Sequence, residues 1–313
     1  MADLLDLPMG RSSIDRDYLT RNRPNLFDEL SIDQSARVLV MNNGKVLLQT
    51  SEHGLVPQLQ LLKPNQIPNS ELRVYLGKTT EPQDDEPAGI MVSLAQVSDS
   101  VATEIEPDAN RWKHLRATGA GLGPRDSGLF TLALAISNWH EAHQFCSRCG
   151  GATVIEKSGW VRRCLKDGQE LFPRTDPAII ASVIDSRDRI LLGSQGAWEQ
   201  NRWSILAGFV EPGESLSAAV IREIYEEAGV RVIDPHYLGS QTWPFPYSLM
   251  VGFTVRVDPD FEHLDATPDG DEIVRLRWFS REEIKAEADS MLLPDRLSIS
   301  RAIIEHWYGG RIE

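Results

Sequence analysis

Residues Gly208 to Val230 read GFVEPGESLSAAVIREIYEEAGV and satisfy the pattern G-x5-E-x7-R-E-U-x-E-E-x-G-U, where U is a bulky aliphatic residue. Nine fixed positions across twenty-three residues leave little room for coincidence. The run after Pro212-Gly213 has helical periodicity, with Ser215 placed as N-cap and Gly229 as the stop. Val220, Ile221, Ile224 and Ala228 make an apolar stripe suited to packing on a sheet, while Glu223, Glu226 and Glu227 fall on another face. Carboxylates brought this close repel one another unless cations sit between them, and hard divalent ions such as Mg²⁺ or Mn²⁺ suit oxygen ligands. The bland alternative is a solvated face on which Arg222 pairs with Glu226. It gives no reason for Gly208, Gly213, Gly229 and Glu214 to hold their offsets from the helical glutamates.

A chain of 313 residues with 41% hydrophobic content can bury more than one core, so two or three domains are expected. No run approaches the roughly 20 apolar residues of a membrane span, and MADLLDLPMG lacks a basic region followed by an apolar core. The expectation is a cytoplasmic protein with no membrane partner. The three cysteines all lie between residues 146 and 164, which argues for a local metal site in a reducing compartment and against a disulfide framework. A net charge of −14 disfavours capture of long nucleic acid through its phosphates, and the longest basic cluster is Arg162-Arg163. Any RNA contact is therefore local, although a phosphorylated end group remains a compatible substrate.

Candidate strands in the first part are Ala36–Met41, Lys45–Gln49, Arg73–Leu76 and Gly89–Ser93, with Asn42-Asn43-Gly44 joining the first two as a hairpin. Glu81–Pro87 reads as an acidic linker. A helical pattern covers Ser127–Gln144 and leads into the cysteines. Beyond them, Ala178–Ile184 and Arg189–Leu192 read as a strand pair, Trp203–Leu206 as the strand entering the glycine-glutamate motif, and Leu249–Val257 and Val274–Phe279 as further strands. A helix over Asp295–Tyr308 closes the chain. Strands interleaved with helices predict a mixed sheet between helical layers.

Cys146-Ser-Arg-Cys149, a fourteen-residue gap, and Cys164-Leu-Lys-Asp167 have the spacing of two zinc-ribbon knuckles, with aspartate in the fourth position. Gly150-Gly151 and Asp167-Gly168 supply the tight turns. Zn²⁺ accepts carboxylate oxygen, so a three-cysteine, one-aspartate site is chemically allowed and softer sets would bind more strongly. The alternative is a lobe that has lost its metal and is held by packing. No cysteine carries an evident nucleophile motif around it.

The glycine-glutamate motif resembles the Nudix box. Ten residues after Val230 begins Ser240-Gln-Thr-Trp-Pro-Phe-Pro-Tyr-Ser248, which resembles the SQPWPFP-x-S motif of the NADH pyrophosphatase, or NudC-type, branch of Nudix hydrolases. Thr242 stands where proline is usual, and Asp167 stands where the fourth cysteine is usual. The resemblance runs along the whole chain. It implies an α/β (α+β) protein: an N-terminal α+β domain over 1–141, a zinc ribbon over 142–173, and a Nudix mixed-sheet sandwich over 174–313. It implies that Glu223 and Glu227 ligate Mg²⁺ or Mn²⁺ with Glu226 at or beside the cluster, the Ala207 carbonyl a further ligand, and Glu272 completing the site. It also implies that Phe209 and Trp243 sandwich the nicotinamide, the tryptophan reaching in from the partner of a homodimer, with Phe172, Gln241, Ser248 and Ser300 as further substrate contacts. Arg116 lies at a longer spacing than the family's phosphate-binding arginine and is not assigned that role.

The expected activity is metal-assisted hydrolysis of NADH or NAD⁺ to nicotinamide mononucleotide and AMP, extended by the resemblance to NAD-capped RNA, with a preference for single-stranded 5′ ends. A rival is a Nudix hydrolase of another nucleoside diphosphate derivative such as ADP-ribose. A second is a zinc-ribbon module whose Nudix domain only senses a nucleotide, against which the complete glutamate set speaks.

Overall fold

The computed structural model describes residues 7–49, 56–83, 85–263 and 265–313. Residues 1–6, within the N-terminal stretch read for targeting signals, and Asp84, within the acidic linker, lie outside the described residues. The chain divides into two compact units, one of Arg11–Thr175 with Trp243–Tyr247, the other of Met1–Gly10, Asp176–Thr242 and Ser248–Glu313. Both are mixed α/β.

The first unit contains β1 (Ile14–Asp15), α1 (Leu26–Ile32), β2 (Arg37–Asn42), β3 (Lys45–Leu47), β4 (Leu72–Thr79), β5 (Met91–Gln96), α2 (Asp99–Ile105), β6 (Trp112–His114), α3 (Leu115–Thr118) and α4 (Pro124–Ala142). Its sheet runs in the order β1-β4-β5-β2-β3-β6, with β2 parallel to β5 and the other pairings antiparallel. The hairpin expected at Asn42-Asn43-Gly44 forms with a two-residue loop: Asn42 pairs with Lys45, and Asn43 and Gly44 both take positive φ, +48° and +71°. Asparagine followed by glycine is the pair that tolerates this backbone. Helix α4 starts three residues earlier than periodicity indicates, because Pro124 suits the first turn, and ends two residues earlier.

A three-stranded antiparallel ribbon, β7 (Thr153–Glu156), β8 (Val161–Cys164) and β9 (Glu170–Leu171), follows in the same unit. It is anchored on β4, where Trp160 Nε1 donates to the Tyr75 carbonyl at 2.7 Å. Beneath it His140, on α4, is buried with Nε2 2.8 Å from the Gly159 carbonyl and Nδ1 3.0 Å from the Arg162 guanidinium. A carbonyl needs a donor and a guanidinium needs an acceptor, so the ring is the neutral Nε2–H tautomer.

The second unit contains β10 (Asp176–Ile184), β11 (Ile190–Gln195), β12 (Leu206–Phe209), α5 (Leu216–Ala228), β13 (Val232–Trp243, all but its last residue), β14 (Ser248–Val257), β15 (Ile273–Phe279), α6 (Arg281–Glu287) and α7 (Ile299–Tyr308). The sheet order is β13-β14-β10-β11-β15, with β12 paired to β10. Strand β10 runs parallel to β14 and antiparallel to β11 and β12, giving the expected mixed sheet. Alternation along β10 feeds two cores: Ile179, Ala181 and Val183 pack with Ala219, Val220, Ile224 and Ala228 of α5, while Ile180 and Ile184 pack with Ile299, Ile303, Ile304 and Trp307 of α7. Helices therefore cover both faces.

Several expectations need correction. Ile221 does not join the buried stripe of α5 and is about half exposed, its place being taken by Ala219. Residues 203–205 are not a regular strand; Ser204 makes one bridge to Gly193, and Trp203 N–H is drawn to the Leu292 carbonyl at 2.9 Å. The last helix begins at Ile299, because the Asp295 carboxylate caps the Leu297 N–H and the Ser298 hydroxyl accepts from Ser300. Strand β13 had no counterpart in the sequence reading, since Asp234-Pro235 and Gly239 interrupt it, Asp234 with φ +53°.

Burial, and then the charge of Arg162, push the His140 pKa from 6.5 to about 4. The unfolded chain therefore takes up the proton first, so stability present above about pH 6.5 is lost as pH falls toward 4. Thermal denaturation across this range is expected to show a shallower acid slope for His140→Gln than for the parent chain.

Candidate active site

The motif residues are placed by β12, the turn at Gly213 and helix α5. Ser215 caps the helix, its hydroxyl accepting from Ala218 N–H at 3.2 Å, and Gly229 ends it at φ +66° with its N–H on the Tyr225 carbonyl. Gly213 turns the chain at φ +94°. Gly208 has a different reason: a Cβ there would lie 2.0 Å from the Glu223 carboxyl carbon. The strand backbone and this carboxylate touch, and any side chain would part them.

Arg222 ties the site together. Its guanidinium donates to Glu214 at 2.6 Å, to Glu226 at 2.8 Å and to the Phe209 carbonyl at 3.0 Å, and lies 2.9 Å from Glu223. Glu214 also accepts from the Glu211 N–H at 2.8 Å, and Arg222 holds its carboxyl below the usual range. The expected Arg222–Glu226 pair is therefore present, as one limb of a larger hub.

Glu227 is buried, at 5% exposed. Burial first, then the charges of Glu272, Glu223 and Asp269, push its pKa up to about 8, against one opposing bond from the Ala207 N–H. Its Oε2 is buried without a hydrogen-bond partner among the described residues. Burial likewise raises Glu223, with Glu226 and Glu272 adding to it against Arg222. Glu272 is held by Gln195 Nε2 at 3.1 Å, and Asp269 shapes its loop by accepting from the Asp271 and Ile273 N–H groups. A buried carboxylate oxygen with no partner, pressed by three other carboxylates and next to Ala207, is the donor set a divalent cation fits. Asp269 and Gln195 escaped sequence reading; the acidic run 269–272 was the available signal for the first, while nothing local marks the second.

Among the other residues, Phe209 is 59% exposed at the end of β12, which rules out core packing for it. Gln241 is fully buried, with Nε2 donating to the Leu297 carbonyl and Oε1 accepting from Ile299 N–H, both at 2.8 Å. It joins β13 to the start of α7. Ser300 is buried with its hydroxyl 2.8 Å from that of Ser204, and Ser248 is buried opposite Asp176. Phe172 and Trp243 belong to the first unit; Phe172 is exposed just after β9, and Trp243 is partly buried.

The ribbon brings Cys146, Cys149, Cys164 and Asp167 together, with all four ligand atoms within 4.8 Å of one another. Gly150 and Gly168 turn the two knuckles at φ +67° and +73°. Gly151 makes room, since a Cβ there would lie 3.2 Å from the Cys164 sulfur. The Gln169 N–H holds Asp167 Oδ1 at 3.0 Å, leaving Oδ2 on the Cys146 side at 3.9 Å from its sulfur. Three thiols and a carboxylate at this separation fit a tetrahedral zinc ion.

Three family models match in sequence: an NADH pyrophosphatase-like rudimentary NUDIX domain over 35–139, the NADH pyrophosphatase zinc ribbon domain over 141–172, and the NUDIX domain over 174–300. The chain is 38% identical over 288 residues to the NAD-capped RNA hydrolases NudC of Mycobacterium tuberculosis and Mycobacterium bovis, covering 89% of this chain and 85% of theirs. The chain belongs to the NADH pyrophosphatase branch of the Nudix hydrolases. The NAD-capped RNA hydrolase NUDT12 of Homo sapiens is 35% identical over 201 residues, 59% of this chain and 42% of that protein. In this family setting the cysteine cluster is a metal-binding zinc ribbon that carries aspartate as its fourth potential ligand.

Gly208→Ala would displace the Glu223 carboxylate and is expected to lower kcat about a hundredfold, the scale of a 1 Å misplacement, while circular dichroism stays that of the parent. For the ribbon, metal analysis is expected to find one zinc per chain. Asp167→Ala should weaken zinc in chelator competition by at least about tenfold, and Asp167→Cys should tighten it.

Proposed function

We propose that this chain hydrolyses the pyrophosphate bond of NADH and NAD⁺ to nicotinamide mononucleotide and AMP, and removes the NAD cap from RNA 5′ ends. The observation that carries the reading is the buried, unpartnered oxygen of Glu227 beside Glu223 and Glu272, within a complete Nudix box of a chain in the NADH pyrophosphatase branch. Glu223, Glu227, Glu272 and the Ala207 carbonyl are the groups we assign to Mg²⁺ or Mn²⁺. When bound, such ions neutralise the diphosphate and lower the pKa of a coordinated water.

The protein's own groups do the rest. Arg222 fixes Glu223 and Glu226 against the β12–α5 loop, so the carboxylates are aimed before substrate arrives. Water adds to one phosphorus, the bridging P–O bond breaks, and Glu226 or Glu227 takes the water's proton; no covalent intermediate with the protein forms. Phe209 and Trp243 are assigned to the nicotinamide, as flat partners for a flat ring whose oxidised form carries positive charge. Phe172, Gln241, Ser248 and Ser300 are assigned as further contacts, the three buried ones acting by shaping the walls. The family resemblance supports a homodimer in which Trp243 serves the partner's site.

In a capped RNA the chain extends from the adenosine side of the same bond, so the chemistry is unchanged. The net charge of −14 supports capture of the first unpaired nucleotides over duplex. Three thiols kept as metal ligands support a reducing compartment such as the cytoplasm, and no helix among the described residues is long and apolar enough to cross a membrane.

Chromatography of NADH incubated with the protein and Mg²⁺ or Mn²⁺ is expected to show reduced nicotinamide mononucleotide and AMP, with Glu227→Gln at least about a thousandfold slower. Intact NADH alongside cleaved ADP-ribose would remove the nicotinamide assignment. Faster release from unpaired than from blunt-duplex NAD-capped ends is expected in the same assay, and equal rates would remove the single-strand preference.

A further inference from the structure

The segment Trp243-Pro244-Phe245-Pro246-Tyr247 is packed within the first unit. Two of its five residues are prolines, so it is poor in backbone donors. Between the two prolines the N–H of Phe245 is already spent on the Trp243 carbonyl at 2.7 Å. A stretch of this kind can be gripped through its carbonyls. The gripping group is Asn138 on α4, whose Nδ2 donates to the Pro244 carbonyl at 3.0 Å and to the Pro246 carbonyl at 2.9 Å. An amide nitrogen has two hydrogens, and both are used on the carbonyls that flank Phe245.

The grip is transmitted to Trp243 through rings. Phe245 meets Trp243 edge to face, with centroids 5.2 Å apart and planes at 73°. The Arg116 guanidinium lies 3.9 Å from the Phe245 centroid and 4.9 Å from that of Trp243. Holding the carbonyls on either side of Phe245 therefore fixes Phe245, and Phe245 with Arg116 fixes the indole. Beside this stack a cavity of about 480 Å³, lined by Asn138, Pro244, Phe245, Pro246 and Tyr247 among others, leaves room into which an unanchored segment could move.

We propose that Asn138 is a positioning residue for Trp243, so that a helix of the first unit helps set selectivity for nicotinamide-bearing substrates. The inference rests on the reading of Trp243 as a nicotinamide partner. A loosened Trp243 weakens binding of the nicotinamide end without touching the groups that take part in hydrolysis. Its loss consequently falls on KM for NADH and spares substrates that lack the ring.

The test is steady-state kinetics of the full chain on NADH and on ADP-ribose for the parent, Asn138→Leu, Asn138→Asp, Trp243→Ala and the double variant Asn138→Leu/Trp243→Ala. Asn138→Leu removes both donors at similar volume, and Asn138→Asp sets a carboxylate against two carbonyls. Each is expected to raise KM for NADH roughly tenfold, the scale of one or two lost hydrogen bonds, with kcat within about threefold and ADP-ribose kinetics near those of the parent. The double variant should be no worse than Trp243→Ala, because both changes act through one ring. Equal losses on both substrates, or additive losses in the double variant, would overturn the proposal. If Asn138→Leu has a lowered Tm, Asn138→Asp and Asn138→Ser carry the same comparison, and equal losses on both substrates overturn the proposal there too. A parent that leaves NADH intact, or a Trp243→Ala variant with parental KM for NADH, would count against the nicotinamide reading itself and is read separately from the Asn138 variants.

Discussion

The guanidinium of Arg222 is the junction on which the acidic site depends. It lies against Glu214 before the helix, Glu223 and Glu226 on the helix, and the Phe209 carbonyl at the end of β12. These contacts come from three elements, so this one planar group helps set where strand, loop and helix meet. Arginine suits the task because its donors fork in fixed directions, whereas a lysine would supply one mobile charge. The contact between the Gly208 backbone and the Glu223 carboxyl follows from that closure.

Charge explains why the junction alone does not finish the site. Arg222 answers Glu214, Glu223 and Glu226, but Glu227 sits deeper, beside Glu272 and Asp269, and keeps a buried oxygen with no donor among the described residues. Burial and the charges of Glu272, Glu223 and Asp269 push the Glu227 carboxyl up to about 8, against its ionised form. A divalent cation offers the alternative, stabilising the ionised form of Glu227 together with its neighbours. On the proposed reading these crowded carboxylates are the ligand set, and a cation's binding free energy would oppose their mutual repulsion.

What was legible in the sequence was what depends on neighbours along the chain. Ser215 and Gly229 could be read as caps because capping is decided within one turn, and Asn43-Gly44 as a hairpin because two positive φ values are decided locally. The reason for Gly208 was not legible, since it needs a carboxylate fifteen positions on to arrive against the strand. Ile221 misled because a stripe of apolar residues does not say which edge of the stripe the sheet will cover. Gln241 could be matched to a motif but not placed: that both ends of its amide would be taken by Leu297 and Ile299 depends on where α7 begins. Asp269 was hidden in a run of acids, where only the fold tells a turn-forming carboxylate from a solvated one.

The ribbon illustrates how a substitution can keep the charge of a site and change its chemistry. Aspartate in place of a fourth cysteine leaves four anionic donors when all are ionised, so electrostatic attraction for a dication is retained. What changes is softness: thiolate favours zinc more than carboxylate does. The structure limits the loss by orientation, because the Gln169 N–H occupies Asp167 Oδ1 and leaves Oδ2 on the Cys146 side. The backbone bonds of the two knuckles, Gly150 N–H to Cys146 and Gly168 N–H to Cys164, do not depend on the identity of the fourth side chain. The knuckle turns are therefore set by the backbone and not by the fourth side chain, and the exchange of cysteine for aspartate acts on the softness of one donor.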